Sequence, residues 1–199
     1  SIMLANNETG AIQPVAAAAE IAHRHGALMH CDAIQAVGRM DVDFEALGVD
    51  LLSLSAHKLG GPMGVGALVV RPGVALTPRA LGGGQESWRR AGTENVPGIV
   101  GFGVAAAAAR HAVARMDDLR RWRDAIESRL RDIAPEIPIY GAEADAGAGR
   151  LANTSCIGMP GVKGETQVMG FDLAGIAVSV GSACSSGKVT ASAVLAAMG

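Results

Sequence analysis

Short apolar segments alternate with segments of helical character in the first half of the chain, and this alternation restricts the fold more than any other feature. The segment DLLSLS is almost continuously apolar, as expected of a strand with both faces covered. Strands separated by helices favour an α/β fold with a mostly parallel sheet. Strands are predicted in SIML, ALMH, DLLSLS and GVGALVV, and helices over residues 14–25 and in DFEALG.

The second half of the chain has a pattern of its own. A polar, glycine-rich loop, LGGGQESWRRAGTENVPG, precedes a single long helix predicted from Pro97 to Ile133. Strands are then predicted in IPIY, RLANTSCIGM and GIAVSVG, with helices in GETQVMGFDLAG and TASAVLAAMG. We therefore predict two domains, 1–112 and 113–199, with the boundary inside the long helix.

Polar side chains follow three of the predicted strands at the point where each strand ends. Asn7 follows the first strand, Asp32 and Gln35 follow the second, and His57 and Lys58 follow the third. In open α/β sheets, ligands bind outside the carboxyl ends of the strands. Alone, each of these residues is more often a turn residue, a helix cap, a solvated charge or a structural histidine than a ligand contact. Their shared position instead predicts one ligand-binding crevice.

Pyridoxal phosphate (PLP) is the ligand that suits this combination of side chains. PLP requires a lysine for a Schiff base and an acidic partner for its pyridine nitrogen. Lys58 and Asp32 meet those two needs. Gln35 can donate near the phenolic oxygen, and the pair Ser55 and His57 can hold the phosphate.

The composition of the chain limits which kinds of partner and which cell compartment can be expected. The formal net charge is −2, which gives no electrostatic reason to expect nucleic acid. No apolar run approaches the roughly 20 residues of a membrane helix, so no membrane association is expected. The three cysteines, Cys31, Cys156 and Cys184, cannot all pair, and their spacing fits neither a disulfide framework nor a zinc site. We therefore expect a cytoplasmic, reduced protein.

Five motifs together resemble the cysteine desulfurases, the class V branch of the fold-type I PLP enzymes. These motifs are NNETG, HCDAIQ, SAHKLGGPMGVGAL, GGGQESWRRAGTENV and GSACSSG. The resemblance implies a fold-type I PLP-dependent transferase, with a mostly parallel sheet in a large PLP-binding domain and a smaller α+β C-terminal domain. Residues 1–112 would be part of the first domain and residues 113–199 part of the second.

The resemblance also implies a role for each matching residue. Lys58 would bind the cofactor covalently, and Asp32 would pair with the pyridine nitrogen. Asn7 and Gln35 would lie near the phenolic oxygen or the substrate end of the ring. Ser55 and His57 would bind the phosphate, and Thr93 would reach the phosphate in the neighbouring subunit of a homodimer.

Cys184 is the nucleophile that the resemblance implies. It would take sulfur from L-cysteine as a persulfide, leave L-alanine, and pass the sulfur to an acceptor such as an iron–sulfur cluster scaffold. Through that persulfide Cys184 would be a transient metal contact for a nascent cluster. The small residues around it, GSACSSG, suit a loop that must move, since glycine permits unusual backbone angles. Cys31 and Cys156 are interpreted as packing residues, since most cysteines are buried and inert.

The chain also departs from the family pattern. The family's glycine–threonine phosphate loop and stacking histidine belong before residue 1, and its carboxylate-binding arginine belongs after residue 199. We therefore expect a chain truncated at both ends, inactive when isolated. Two alternatives stay open: another class V PLP enzyme, such as a selenocysteine lyase or an aminotransferase, or an inactive fragment that only packs against partners.

Overall fold

The computed structural model describes residues 1–181 and 192–198. The chain divides into two compact units. The first comprises Ser1–Leu4 and Gln13–Met116, and the second comprises Ala5–Ile12 and Asp117–Gly199. This division differs from the predicted one at residue 112, because the NNETG turn groups with the later part of the chain. The interpretation of the two parts as a PLP-binding domain and a C-terminal domain stays a prediction.

A four-stranded sheet forms the centre of the first unit, in the order β1-β2-β3-β4. Its strands are β1 (Ile2–Met3), β2 (His30–Asp32), β3 (Leu51–Ser55) and β4 (Gly66–Val70). The first three strands are parallel, and β4 runs antiparallel to β3. The predicted α/β fold with a mostly parallel sheet is confirmed.

Helices α1 (Val15–Arg24) and α2 (Phe44–Leu47) connect these strands. Helix α1 follows Pro14, and Gly26 reverses the chain just beyond its end with a φ of +69°. The Asp43 carboxylate caps α2 by accepting two backbone N–H bonds at 2.8 and 3.1 Å. Gly48 ends α2 in the left-handed conformation. Both helices therefore lie close to their predicted positions.

The prediction of a single long helix is wrong, because the structure has two separate helices in this part of the chain. After the short helical segment α3 (Gln85–Trp88), α4 (Val96–Val113) and α5 (Met116–Ile133) are separate helices. Arg110 and His111 lie in the last turn of α4, and Asp117 and Asp118 lie in the first turn of α5. Basic groups stabilise a helix carboxyl end and acidic groups an amino end. The charges therefore favour a break that no glycine or proline marks.

Small residues allow α4 to approach the turns that follow β2 and β3. A Cβ added to Gly61 would lie 3.0 Å from the Cβ of Ala105, and one added to Gly38 would lie 3.1 Å from the Cβ of Ala109. Both alanines are buried. The alanine-rich sequence of α4 therefore has a packing function at these positions.

Helix α4 is also long and apolar enough, by length and composition alone, to cross a membrane. No other helix in residues 1–181 and 192–198 meets that criterion. The sequence itself predicts no such segment, because Arg110 interrupts the apolar run. Core helices of soluble proteins share the same length and composition, so this finding is weak evidence for a membrane span.

The second unit contains a two-stranded antiparallel sheet of β5 (Ile139–Tyr140) and β6 (Cys156–Ile157). Its other helices are α6 (Gly164–Leu173) and α7 (Ala193–Met198). The strand predicted in GIAVSVG is wrong, since its residues up to Gly181 are described and form no strand. A strand requires a hydrogen-bonded neighbour, and none of the described strands pairs with this segment.

A buried network of charged side chains ties α5 to the loop before β6. Arg150 binds Glu127 through two hydrogen bonds of 3.0 and 2.9 Å, and it also binds Asp145. Ser155 donates a further bond to Glu127. Burial alone would raise the pKa of Glu127, but the hydrogen bonds from Arg150 and Ser155 and the charges of Arg150 and Arg123 hold this pKa below its ordinary value.

We predict that Glu127→Gln destabilises the second unit of the intact protein by about 3 kcal/mol, because Arg150 stays buried without its full counter-charge. A lowered carboxyl pKa contributes stability above the unfolded-state value, and this stability is lost as the pH falls through the folded-state value. The loss of stability between pH 7 and pH 4 should therefore be smaller in the variant than in the parent. Urea unfolding at both pH values measures this. The exposed Glu165→Gln is the matched control, and equal midpoints for Glu127→Gln and the parent would contradict the prediction.

Candidate active site

The carboxyl ends of the parallel strands β2 and β3 carry most of the predicted cofactor-binding side chains. Strand β2 ends at Asp32 and β3 ends at Ser55. Because Asp32 pairs with Ser53, the two strands end at the same edge of the sheet. The turns that follow them also begin at this edge. The predicted residues found here are Asp32, Gln35, Ser55, His57 and Lys58.

The Asp32 carboxylate is half-buried and oriented by its own turn. Its Oδ1 accepts the backbone N–H of Ile34 at 2.9 Å. The backbone carbonyl of Asp32 accepts the N–H of Leu4 at 2.8 Å, which fixes the end of β2 against β1. No donor to Oδ2 is found among the described residues. Asp32 can therefore accept a bond from a cationic ring N–H.

Lys58 lies in a 3₁₀ turn, Ala56–Leu59, directly after β3. The turn is fixed from both sides: Ala56 donates its N–H to Val65 O at 3.1 Å, and its own carbonyl accepts the N–H of Gly61 at 2.9 Å. Gly60 ends the turn with a φ of +78°. Within the described part of the chain, the half-buried Lys58 ammonium forms no ion pair, so its amine is available for chemistry.

Ser55 and His57 contact each other at the start of the same turn. Their Oγ and Nδ1 atoms lie 2.7 Å apart, and the tautomer of the imidazole decides which atom donates. A hydroxyl and an imidazole can both donate to phosphate oxygens. Whichever atom donates in this contact, the neutral pair keeps one N–H or O–H that can donate to a phosphate beside Lys58.

Arg39 is a further residue of this edge that was not predicted from the sequence. Its guanidinium donates to Gln35 O at 2.7 Å and to Lys58 O at 3.3 Å, so it joins the turn after β2 to the turn after β3. Burial lowers the pKa of Arg39 from its ordinary value. The available signal was a lone arginine in the otherwise uncharged segment 33–40.

Three predicted residues are not brought to this edge by any described contact. Asn7 lies in the turn of residues 5–12, which belongs to the second unit. Thr93 is exposed in the loop before α4. Cys184 lies outside the described residues, and so does its predicted metal contact. Among residues 1–181 and 192–198, no cluster of His, Cys, Asp or Glu could hold a metal ion.

Both described cysteines are unsuited to nucleophilic chemistry. Cys31 is fully buried, and burial, with a smaller effect of the Asp32 charge, raises the pKa of its thiol to about 11. Burial and the Glu8 charge also raise the pKa of the Cys156 thiol. Because the thiolate is the nucleophile, both residues fit the predicted packing role.

Two cavities are lined by residues other than the predicted cofactor-binding ones. A cavity of about 520 Å³ in the second unit is lined mainly by charged residues of α5 and the loop before β6. Another, of about 560 Å³, is lined by β4, the following loop and the start of α4. Neither is lined by Lys58 or Asp32, so the size of a cavity does not identify the candidate site.

Comparison with known proteins places this arrangement in a family. The sequence pattern of the family described as Aminotransferase class-V matches residues 1–198. The chain belongs to the class-V aminotransferases. Members of this family use PLP. The amine of Lys58, the carboxylate of Asp32 and the pair formed by Ser55 and His57 fit that cofactor.

Relatives within the class-V aminotransferases include cysteine desulfurases. The chain is 47% identical to a cysteine desulfurase of Cereibacter sphaeroides over 201 residues, covering all of this chain and 50% of that protein. It is 48% identical to one of Gluconacetobacter diazotrophicus, covering 49% of that protein. The chain therefore spans about half the length of the curated relatives it matches.

Solved structures agree with the fold of a class-V aminotransferase. A NifS-like protein from Rickettsia africae matches with a TM-score of 0.82 and 35% identity, over 90% of this chain and 49% of that one. The structure of SspA in complex with cysteine matches with a TM-score of 0.70 and 32% identity, over 99% of this chain and 53% of that one. The predicted fold-type I class is confirmed.

We predict that Arg39→Met in the intact protein lowers stability by about 2 kcal/mol, because the variant loses two hydrogen bonds from a charged donor. Arg39→Lys should recover only part of this loss, since lysine lacks the planar fork that reaches two carbonyls. Urea unfolding gives the stability of each variant. The control is Arg24→Met, which removes an equal charge at the exposed end of α1, and a parent-like midpoint for Arg39→Met would show that the two bonds contribute nothing.

We also predict that Cys31 reacts slowly with iodoacetamide in the folded protein, with a rate that rises about tenfold per pH unit between pH 8 and pH 9.5. Because its pKa of about 11 lies above the ordinary value of 9.0, the thiolate fraction is lower by about 90-fold at pH 8 and by about 25-fold at pH 9.5. Mass spectrometry of a Cys156→Ser, Cys184→Ser variant isolates this thiol, and the same protein in urea is the control. A plateau near pH 9 in the folded protein would refute the raised pKa.

Proposed function

We propose that this chain is part of a PLP-dependent cysteine desulfurase that converts L-cysteine to L-alanine and carries the sulfur as a persulfide on Cys184. The observation that supports this most is the alignment of Asp32 and Lys58 at the ends of paired strands. The identity of 47 and 48% to cysteine desulfurases, along the whole chain, supports the choice of substrate. Aminotransferases have no use for a nucleophilic thiol, which disfavours that alternative.

Each residue of the edge has a task in this proposal. When bound, PLP supplies an electron sink that stabilises negative charge on the substrate Cα. Lys58 would hold the cofactor covalently, and its amine would move the proton at the substrate Cα. Asp32 keeps the ring nitrogen protonated, and Ser55 and His57 hold the phosphate. Gln35 and Asn7 orient the ring's phenolic oxygen or the bound substrate.

Cys184 carries out the sulfur transfer. Its thiolate provides the electron pair for the new S–S bond, and the C–S bond of the substrate breaks. The electron pair of that bond stays on the substrate Cβ, which takes up a proton and gives alanine. No external oxidant or reductant is needed for this step.

We further propose a cytoplasmic homodimer in which Thr93 reaches the phosphate bound by the partner subunit. The exposed position of Thr93 before α4 supports this role. A scaffold protein for iron–sulfur clusters is the proposed sulfur acceptor. The spacing of the three cysteines, which fits no disulfide framework, is compatible with this compartment.

We predict that Cys184→Ser in the intact protein still binds PLP and cysteine but loses sulfide and alanine formation by about 10³-fold or more, since removal of a nucleophile costs at least that much. A serine hydroxyl cannot hold sulfur as a persulfide. The measurements are the visible absorption of the lysine-bound cofactor, which borohydride should abolish, and the alanine released per cysteine added.

Cys156→Ser is the matched control, because it removes a half-buried thiol without touching the edge. It should keep most of the activity. An active Cys184→Ser with an inactive Cys156→Ser would mean that the nucleophile is misassigned. An intact protein without a borohydride-sensitive band would instead support the alternative of a non-catalytic packing module.

A further inference from the structure

The guanidinium of Arg39 binds the backbones of the two turns that carry the proposed cofactor-binding side chains. Its Nη1 donates to the Gln35 carbonyl at 2.7 Å, and its Nη2 donates to the Lys58 carbonyl at 3.3 Å. A guanidinium is planar, and its N–H groups form a rigid fork. Two carbonyls bonded to one guanidinium are therefore kept at a fixed spacing, although Gln35 and Lys58 lie on different turns.

The base of the Arg39 side chain is fixed to the end of β2 by backbone hydrogen bonds. The carbonyl of Ala33 accepts the N–H groups of Ala36 and Val37 at 3.0 and 3.2 Å. The carbonyl of Ala36 in turn accepts the N–H of Arg39 at 3.0 Å. Ala33 and Ala36 are both fully buried. The guanidinium therefore extends from a backbone that the core of the first unit holds in place.

The Lys58 carbonyl is the point at which Arg39 reaches the second turn. Because a peptide group is planar, a carbonyl whose direction is fixed restricts the backbone angle ψ of its own residue. The direction in which the lysine side chain leaves the backbone depends on that angle. The two turns also pack directly, since a Cβ added to Gly38 would lie 3.1 Å from Cδ2 of Leu59. The bond from Arg39 and this packing together restrict the direction of the Lys58 side chain.

We propose that Arg39 is a positioning residue for cofactor attachment: by holding the Lys58 carbonyl against the turn of Gln35, it directs the lysine amine toward the cofactor ring. This inference rests on the proposed function. In the attachment, the amine nitrogen forms a C=N bond with the aldehyde carbon of PLP, and the aldehyde oxygen leaves as water, so no oxidant or reductant is needed. An amine that is already oriented gives tighter attachment than a free one, because less freedom is lost on binding. Arg39 acts through the two backbones and needs no contact with PLP.

The test is a double-mutant cycle in the intact, cofactor-free protein, with PLP as the added ligand. Arg39→Met should raise the dissociation constant of PLP about tenfold, because the Lys58 amine loses its orientation. In a Lys58→Ala background no covalent attachment forms, so Arg39→Met should change this constant by less than about twofold. Equilibrium dialysis gives each dissociation constant, and circular dichroism checks that each variant is folded.

Two further variants are the matched controls. Arg39→Lys keeps the charge but lacks the planar fork, so it should raise the dissociation constant by only about threefold. Arg24→Met removes an equal charge at the exposed end of α1 and should have no effect. If Arg39→Met fails to fold, Arg39→Lys carries the same cycle, and its effect should also disappear in the Lys58→Ala background.

The possible outcomes separate this inference from the proposed function. Parent-like PLP affinity in the Arg39 variants would overturn the inference alone. An equal loss of affinity with and without Lys58 would do the same, because Arg39 would then support only the fold. A protein that shows the expected cycle but releases no alanine from cysteine would support the inference and overturn the proposed desulfurase activity. An intact parent that binds no PLP would overturn both.

Discussion

The parallel pairing of β2 with β3 is the constraint on which the candidate site depends. Asp32 pairs with Ser53, and this register aligns the carboxyl ends of the two strands. The Asp32 carboxylate and the turn that carries Lys58 therefore lie at one edge of the sheet. A shift of this register by one residue would turn Asp32 to the other face of the sheet. Backbone hydrogen bonding thus determines which side chains can meet before any side-chain contact contributes.

Around this edge, small residues and one half-buried cation, Arg39, hold the two turns in place. Gly61 and Ala105 allow α4 to lie directly against the turn that carries Lys58. Arg39 then joins that turn to the one carrying Gln35 through two backbone carbonyls. Because Arg39 binds the backbone of both turns, it leaves their functional side chains free. The site is therefore supported by groups that take no part in the proposed chemistry.

Local patterns in the sequence predicted the strands of the first unit and five residues of the candidate site. These residues are Asp32, Gln35, Ser55, His57 and Lys58. Apolar segments ended by polar residues located β3 and Lys58, since the period and the end of a strand are local properties. Arg39 could not be predicted, because its acceptors are two carbonyls brought together only by the fold. The grouping of the NNETG turn with the second unit could not be predicted either, because it depends on residues far away in the sequence. The GIAVSVG strand failed because a strand depends on a partner, which its own sequence does not specify.

The antiparallel direction of β4 has a consequence for the order in which this site forms. Ser55 pairs with Gly66 across a short loop, whereas Ile2 must find Cys31 across the whole of α1. Closing a short loop loses less chain entropy than closing a long one. The hairpin of β3 and β4, with Lys58 at its tip, is therefore the part of the sheet with the lowest entropic barrier to folding. During synthesis on the ribosome, the lysine turn can take shape as soon as β4 has emerged, without any contribution from β1.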